Sequence, residues 1–243
     1  MTITSAFSVF GLEPFPVINE GDSITDAVIA VLREQNRQLV DGDVVVVASK
    51  VVSIAEKRYL DLATITPNEQ AQALAKQTGK PAAVVQLILD ESSEHFLATP
   101  NGPIIARHKL GYQLTSAGID RHGTDGAWLL PTDPDASARH LRDGIATATG
   151  ADIAVIIADS DGRADRRGAT VISLGAAGIA PLRITEHPEP TGKTKQQEET
   201  LTDMITAAAG VVLGQRGRGA PVVVVRGVNY DRSDAGVVSM LHR

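Results

Sequence analysis

The run Val44-Val45-Val46-Val47 decides the fold, together with a second apolar run from Ile153 to Ala158. Both runs are short and uninterrupted, and polar residues follow each of them at once. This pattern is typical of a strand that is buried on both faces. A third such run, Pro221 to Val225, lies near the C-terminus. Because segments with helical spacing separate the runs, the sequence predicts an α/β or mixed α+β fold, a buried sheet with helices on both faces.

Start and stop signals place the predicted helices. Ser23-Ile24-Thr25-Asp26 resembles a capping box, and Asp133-Pro134-Asp135 introduces a helix that Gly150 ends. Five helical segments are predicted. The first begins after Ser23, and the second begins near Pro67 and ends at Gly79. The other three run from Ala82 to Leu89, from Asp133 to about Ala148, and from Thr200 to Val212. Residues His187 to Gly192 contain two prolines and are predicted to form a loop.

Composition excludes several classes of function. The chain has 243 residues, 23 basic against 29 acidic residues, a net charge of −6 and no cysteine. The absence of cysteine excludes disulfides, thiolate zinc sites, iron–sulfur clusters and cysteine nucleophiles. The acidic balance and an aromatic content of only 3% disfavour a nucleic-acid-binding protein. An anionic ligand would therefore need a local basic pocket, metal ions or backbone amides.

The expected location is the cytoplasm. Residues 1–16 lack both a basic start and a continuous apolar stretch, so they do not resemble a secretory signal. No apolar segment approaches the roughly 20 residues that span a bilayer, so we expect no membrane partner.

The stretch Asp159-Ser160-Asp161-Gly162-Arg163 follows the second apolar run and is predicted to be a polar loop. Sheets of α/β proteins place ligand sites at the carboxyl ends of strands. Carboxylate and hydroxyl oxygens are hard ligands that suit Mg²⁺ or Mn²⁺. Arg163, Arg166 and Arg167 could hold a phosphate or carboxylate through paired donors. The alternative is a solvated turn, and the stretch alone favours neither interpretation.

Three other features are weaker. Lys50 follows the first apolar run and could reach a phosphate, although no P-loop motif is present and a surface role is the commoner one. Residues Gly214 to Gly219 are glycine-rich and basic, so their amides could cradle an anion or simply form a flexible turn. Asp120 could supply another carboxylate, although an aspartate after Gly118 is usually a turn residue. None of these features identifies a reaction by itself.

Taken in order, the motifs resemble the coenzyme F420-0:L-glutamate ligase family. Residues 41–53, with Glu56 and Arg58, resemble its N-terminal signature, and Lys109-Leu110-Gly111 with residues 117–120 resembles its second. The other similar segments are residues 129–131, 133–138, 158–160, 162–163, 168, 175–179, 214–215 and 221–227. The resemblance therefore covers nearly the whole chain.

The resemblance implies a ligase that couples GTP to amide formation. GTP would phosphorylate the terminal carboxylate of the deazaflavin precursor F420-0, and the amine of L-glutamate would attack the resulting acyl phosphate. It also implies two divalent cations, Mg²⁺ or Mn²⁺, and a monovalent cation such as K⁺. The expected architecture is a single domain over residues 1–243, or two interleaved subdomains, in an intertwined homodimer.

Site residues are carried over position by position. By resemblance the metal ligands are Asp120, Asp159, Ser160 and Gln215, with Ser160 in place of a threonine. The expected GTP contacts are Ser49, Lys50, Leu213, Gly214, Gln215, Arg216, Gly217, Arg218, Gly219 and Ala220, with the segment Pro14–Val17 as a further one. We expect Asp159 and Arg163 to act directly in catalysis.

Several positions depart from the family pattern. Ile54 replaces a second lysine, Gly123 replaces an asparagine and Pro14 stands at a glycine. Ala164-Asp165 lacks the family's tryptophan, and residues 184–199 lack its R-G-x-x-D-x-x-G stretch. These departures favour two rivals: a paralogous ligase with another carboxylate acceptor or amine donor, and a nucleotide-binding homologue without catalysis.

Differences in specificity are expected mainly in Asp161–Arg167 and Ile184–Glu199, where this chain departs most from the family while the metal positions persist.

Overall fold

The computed structural model describes residues 4–98, 102–188, 190, 192–215 and 219–242. The strands are β1 (Ser8–Gly11), β2 (Val44–Ala48), β3 (Tyr59–Asp61), β4 (Ser92–Leu97), β5 (Ile104–His108), β6 (Gln113–Thr115), β7 (Asp120–His122), β8 (Gly126–Trp128), β9 (Ala154–Gly162), β10 (Ala169–Ala177), β11 (Leu182–Pro188), β12 (Thr194–Thr200) and β13 (Val222–Arg226). The helices are α1 (Ile24–Glu34), α2 (Ser49–Ala55), α3 (Glu69–Thr78), α4 (Ala82–Asp90), α5 (Pro134–Thr149) and α6 (Leu201–Leu213). Short 3₁₀ helices span Leu62–Thr64, Ser116–Gly118 and Val237–Met240.

A five-stranded sheet in the order β1-β13-β2-β9-β10 forms the centre of the molecule. The three apolar runs found in the sequence are its middle strands β13, β2 and β9. β2 and β9 are parallel, with Val44 opposite Ala154 and Ala48 opposite Ala158, and the other neighbours are antiparallel. The mixed α+β class predicted from the sequence is confirmed.

Both faces of this sheet are covered, as predicted. Alternate residues of β9 divide between two apolar cores: Val155 and Ile157 join α1, α2 and α5 in the first, whereas Ala154 and Ile156 join α6 in the second. The division follows from the strand geometry, since successive side chains point to opposite faces. A fully buried valine or isoleucine contributes about 1.5–3 kcal/mol relative to exposure, so the central runs stabilise both layers.

Residues 59–129 form a third apolar core outside the central sheet. Helices α3 and α4 pack there against the three-stranded sheets β3-β8-β7 and β4-β5-β6. Its buried members are Leu62, Ala71, Val84, Val85, Leu87, Ile88, Ile104, Ala106, Ala117, Ala127 and Leu129. The chain enters this region after α2 and leaves it before α5, and Thr115 of β6 connects it to the end of β9.

Most helix signals in the sequence are confirmed. The Ser23 hydroxyl accepts from the amide of Asp26 at 3.1 Å, and the Asp133 carboxylate accepts from the amide of Ala136 at 2.9 Å. The predicted start near Pro67 is wrong by two residues, because the Asn68 side chain accepts the Ala71 amide and thereby caps α3. Within the described part of the chain, no helix is both long and apolar enough to cross a membrane.

Two predicted loops are instead strands. The polar stretch after Ala158 was expected to leave the sheet, but β9 continues to Gly162 because β10 pairs with it from Asp159 to Gly162. The predicted loop at 187–192 is wrong in its first two residues, because β11 extends to Pro188 and pairs with β12. Hydrogen bonding to a neighbouring strand overrides the polar character of both stretches.

Candidate active site

Parallel pairing brings the carboxyl ends of β2 and β9 to the same edge of the sheet. Ser49 and Lys50, which open α2, therefore lie beside Asp159, although 110 residues separate Ser49 from Asp159 in sequence. The buried Ser49 hydroxyl donates a hydrogen bond of 2.8 Å to Oδ1 of Asp159. The structure thus joins two of the candidate motifs directly.

Lys50 is paired with the third motif. Its Nζ lies 2.8 Å from Oδ2 of Asp120, and about half of each side chain is exposed. Asp120 also acts electrostatically on Asp159, so the two carboxylates belong to one centre. A basic side chain thereby lies beside a carboxylate near the strand ends, an ion pair that the sequence did not predict.

A strained turn carries Asp120 to this centre. Ser116, Ala117 and Gly118 have consecutive positive φ angles of 55°, 54° and 68°. Left-handed backbone costs about 1–2 kcal/mol per non-glycine residue, so neighbouring contacts must hold the turn. At Gly118 a Cβ would lie 2.8 Å from Cδ2 of Leu130, so glycine also permits close packing.

Asp161 holds the start of that turn. Its Oδ1 accepts the amide of Thr115 at 3.0 Å, and the Thr115 hydroxyl donates to the carbonyl of Gly162 at 3.1 Å. The end of β9 is therefore tied to β6 immediately before the strained residues. The sequence did not indicate a role for Thr115, because no local pattern predicts a contact with Asp161, which is 46 residues away in sequence.

The Asp159 carboxyl has an altered acidity. Its pKa is raised to about 7, mainly by burial and to a smaller extent by the neighbouring carboxylates of Asp120 and Asp161, while hydrogen bonds from Ser49 and from the amide of Ser160 oppose the rise. Burial likewise raises the pKa of Asp161, against the hydrogen bonds from Thr115. A carboxyl that titrates near neutrality at a strand end is typical of a functional site.

Ser160 points away from Asp159. In β9 the two are adjacent residues, so their side chains lie on opposite faces of the sheet. Ser160 pairs with Val171, and α6 packs on that face, because a Cβ at Gly210 would lie 2.6 Å from Cγ2 of Val171. Gln215 follows the end of this same helix. The four expected metal ligands thus divide into one pair, Asp120 and Asp159, and a second group on the α6 side.

Comparison with known proteins identifies the family. The family model described as F420-0:Gamma-glutamyl ligase matches residues 14–227. The chain is 36% identical over 240 residues to the Coenzyme F420:L-glutamate ligase of Methanothermobacter thermautotrophicus, covering 96% of this chain and 95% of that protein. It is 37% identical to the protein of the same name from Archaeoglobus fulgidus over 225 residues, covering 91% of this chain and 88% of that protein. The likeness extends across nearly the full length of both.

The chain belongs to the F420-0:gamma-glutamyl ligase family. It is accordingly an enzyme of the ligase class, and the resemblance found in the sequence is confirmed.

The remaining predicted residues of this ligase lie around the centre without entering it. Arg163 is exposed just beyond the end of β9 and acts electrostatically on Asp161. Arg166 forms an exposed ion pair with its neighbour Asp165, 2.8 Å between Nη2 and Oδ2. Arg167 is also exposed. The catalytic role expected for Arg163 stays a prediction.

The expected nucleotide segment of the ligase is only partly described. Leu213 ends α6, Gly214 and Gln215 follow it, and Gly219 and Ala220 precede β13. Arg216, Gly217 and Arg218 lie outside the described residues. The ends of this segment flank the α6 side of the central sheet, on the face to which Ser160 belongs.

The donor set at Asp120 and Asp159 suits a hard divalent cation. Both supply carboxylate oxygens, which Mg²⁺ and Mn²⁺ prefer, and the mutual repulsion that raises the pKa of Asp159 would be relieved by a cation between them. Among the described residues, no group of three or more histidines, aspartates and glutamates is arranged to hold a metal ion.

A cleft of about 560 Å³ opens elsewhere on the ligase, between the beginnings of α1 and α5 and the end of α2. Asp22, Glu56 and Asp133 line it together with His140. Its acidic lining disfavours anionic substrates, and none of the candidate site residues lines it. We therefore place the chemistry at the strand ends, where the predicted motifs converge.

Proposed function

We propose that this ligase uses GTP and divalent metal ions to join the amino group of L-glutamate to the terminal carboxylate of F420-0 through an acyl phosphate. The observation that carries the proposal is the contact network in which Ser49 donates to Asp159 and Lys50 pairs with Asp120. The relatives' names give the substrates of those proteins, coenzyme F420 and L-glutamate. The network supplies what phosphoryl transfer requires, positioned anionic ligands beside a basic group.

The chemistry needs charge neutralisation more than a protein nucleophile. A carboxylate oxygen of the acceptor attacks the γ-phosphorus of GTP, and GDP leaves. The glutamate nitrogen then attacks the acyl carbon, loses a proton and expels phosphate, which leaves an amide. Divalent ions held by Asp120 and Asp159 would neutralise phosphate charge. The residues themselves bind, orient and hold charge, and none of them becomes covalently modified.

Lys50 has two proposed roles, one in the protein alone and one with nucleotide bound. In the protein alone its ammonium group offsets the charge of Asp120, at 2.8 Å. Were a divalent cation held by Asp120, it would neutralise that carboxylate, and Lys50 would then be free to contact phosphate oxygens as a point charge. Because the lysine opens α2 and is half exposed, its side chain can make this movement without altering the sheet.

We also propose that the ligase is a homodimer. Val17 and Val211 are exposed by 84% and 86%, and Ile184 by 50%, although all three are large apolar side chains. The resemblance to an intertwined dimer is the ground of the proposal, and these three side chains would gain from burial if a second copy covered them. Light scattering should give twice the chain mass at micromolar concentration, and a monomer mass would contradict the proposal.

A second candidate is a ligase of the same chemistry that acts on another carboxylate. The β11–β12 hairpin favours it, since it is almost wholly exposed and polar where the family carries a different motif. The metal ions would act on the phosphate and would not contact the distant part of the acceptor, so a change of acceptor would leave phosphoryl transfer intact.

Product analysis tests both candidates. The protein is incubated with F420-0, L-glutamate, GTP and Mn²⁺, and the products are measured by mass spectrometry. We expect one GDP for each amide formed, with a mass increase of one glutamate residue. Release of GDP that depends on another carboxylate would favour the second candidate, and tight nucleotide binding without any acceptor-dependent GDP would favour a non-catalytic homologue.

A further inference from the structure

A row of side chains crosses the small sheet β3-β8-β7. Tyr59 and Asp120 both pair with Trp128, from its two sides, and His122 lies two residues after Asp120 on the same strand. Directly opposed residues share a face of a sheet, as do residues two apart on one strand. The candidate metal ligand Asp120 therefore shares one sheet face with three aromatic side chains.

These three side chains form one aromatic cluster, the Tyr59–His122–Trp128 face. The ring centroids of Tyr59 and Trp128 are 5.1 Å apart, and that of His122 is 6.2 Å from each of them, all in edge-on arrangements. Gly126 lies next to the Tyr59 ring, which would collide with any Cβ there. The glycine thus lets Tyr59 lie flat over β8.

Tyr59 and His122 are exposed on this face and Trp128 beside them is buried, whereas the reverse side of the sheet faces the third core. Tyr59 is 39% exposed and His122 is exposed, while Ala127 and Leu129 belong to the third core. The core of this region therefore does not depend on the exposed rings. In a chain with only 3% aromatic residues, their concentration beside the active centre needs a separate explanation.

Trp128 supplies an independent observation. It is 92% buried, and its indole N–H is the one buried side-chain polar group that has no hydrogen-bond partner within the described part of the chain. Buried donors nearly always have acceptors, because leaving one without a partner is costly. A planar ring with carbonyl oxygens would offer such an acceptor if it displaced the Tyr59 or His122 ring that packs against Trp128.

We propose that the Tyr59–His122–Trp128 face binds the planar deazaflavin ring of the acceptor. The identity of this ligand rests on the proposed function. β3 and β7 lie on either side of β8, so two strand spacings, about 10 Å, separate Tyr59 from Asp120. A molecule with its ring at one end and its carboxylate at the other can therefore reach from the aromatic face to the phosphoryl-transfer centre.

The guanine of GTP is the other planar heterocycle in the reaction. Among the expected GTP positions, Ser49 and Lys50 lie beside Asp159 and Asp120, where the phosphates of GTP would be. The segment after α6 adjoins the opposite side of β9, and we assign the guanine to that side. The segment Pro14–Val17, a further expected GTP contact, lies outside the β3-β8-β7 sheet. This placement leaves the aromatic face to the acceptor.

Fluorescence of Trp128, the chain's single tryptophan, tests the proposal. The full chain is titrated with a deazaflavin ring compound that has neither phosphate nor carboxylate, and separately with GTP. We expect the ring compound to quench the emission, and Tyr59→Leu to weaken its binding about tenfold. Tyr59→Phe should bind as the unaltered protein does, and so should Phe96→Leu, which removes an exposed ring from β4.

His122→Ala, at an exposed position, should weaken binding several-fold, and circular dichroism verifies that each variant is folded. The proposal would be overturned if Tyr59→Leu and His122→Ala both bound the ring compound as tightly as the unaltered protein does. It would also be overturned if the ring compound did not bind, or if GTP alone quenched the emission. The ring compound has no carboxylate to activate, so its binding is independent of ligase turnover. Failure of the proposed function and failure of this inference are therefore distinguishable.

Discussion

The carboxyl end of β9 and the β11–β12 hairpin are both polar, yet they are built differently. At the end of β9, Asp159 and Asp161 have fixed partners in Ser49 and Thr115. In the hairpin most side chains are exposed, and Arg183 forms an ion pair with Glu199, 2.7 Å between Nε and Oε2. The first region keeps Asp159 at an expected metal position, although the segment from Asp161 onward departs from the family pattern, and the second region departs throughout. The residue on which the proposed chemistry depends is thus the one that packing fixes.

The largest expected effect is at Asp159. Asp159→Asn keeps the shape but removes the charge, so we expect Mn²⁺-dependent GTP binding to weaken on the order of 100-fold. Calorimetry with and without Mn²⁺ measures the change. The matched control is Asp143→Asn on α5, an exposed aspartate far from the strand ends, which should bind as the unaltered chain does. Unchanged metal dependence in Asp159→Asn would remove the distinction between the two regions.

Asp161 should matter through its hydrogen bond more than through its charge. Asp161→Ala removes the acceptor for the Thr115 amide and frees the turn that carries Asp120, so we expect Mn²⁺ affinity to fall about tenfold. Asp161→Asn keeps an acceptor oxygen and should restore most of the affinity. Hydrogen exchange of residues 116–120 should rise only in the alanine variant. Equal losses in both variants would show that charge, and not position, is what Asp161 supplies.

The acidity of Asp159 gives a pH dependence. Since burial raises its pKa to about 7, the carboxyl is protonated below that pH and a cation must displace the proton. Mn²⁺ affinity should therefore fall as the pH drops from 8 to 6, and binding at pH 6 should release a proton that calorimetry in two buffers detects. Asp159→Asn should abolish the proton release. Equal affinity at both pH values would contradict the assignment.

The raised pKa of Asp159 also makes the stability of the metal-free protein depend on pH. A raised folded-state pKa means that the protonated carboxyl is the form tolerated by the fold. The contribution of Asp159 to the free energy of unfolding is fully present below its ordinary pKa of 3.8 and is lost as the pH rises toward about 7. Without metal, the unaltered chain should lose stability over this interval relative to Asp159→Asn, as measured by denaturant unfolding at pH 5 and pH 8.

The smallest effect is expected in the hairpin. Glu199→Gln removes the ion pair with Arg183, which lowers the pKa of Glu199 mainly through its hydrogen bond. Surface pairs contribute little, so the midpoint of thermal unfolding should stay within a few degrees. GTP binding should be unchanged, and any change should be confined to the KM for the acceptor. A loss of GTP binding would show that the hairpin belongs to the nucleotide site.

Much of the central sheet could be predicted from the sequence, because uninterrupted runs such as 44–47 have few alternatives to a buried strand. The proximity of Ser49 and Asp159 follows once the two strands are parallel. Three features could not be predicted: the extension of β9 to Gly162, the Thr115–Asp161 contact and the aromatic face beside Asp120. Each depends on the register between strands distant in sequence, and register leaves no local signal.

The central claim is that the acceptor carboxylate is activated by phosphorylation beside Asp159. It is tested most directly with F420-0 whose carboxylate oxygens are labelled with ¹⁸O, in the presence of GTP, L-glutamate and Mn²⁺. If an acyl phosphate forms and the glutamate nitrogen expels phosphate, one labelled oxygen moves to inorganic phosphate and one stays in the amide. Mass spectrometry should therefore find singly labelled phosphate in proportion to the amide product. If the inorganic phosphate carried no ¹⁸O while the F420-0 kept its label, water would be the group that attacks GTP. That result would contradict the central claim.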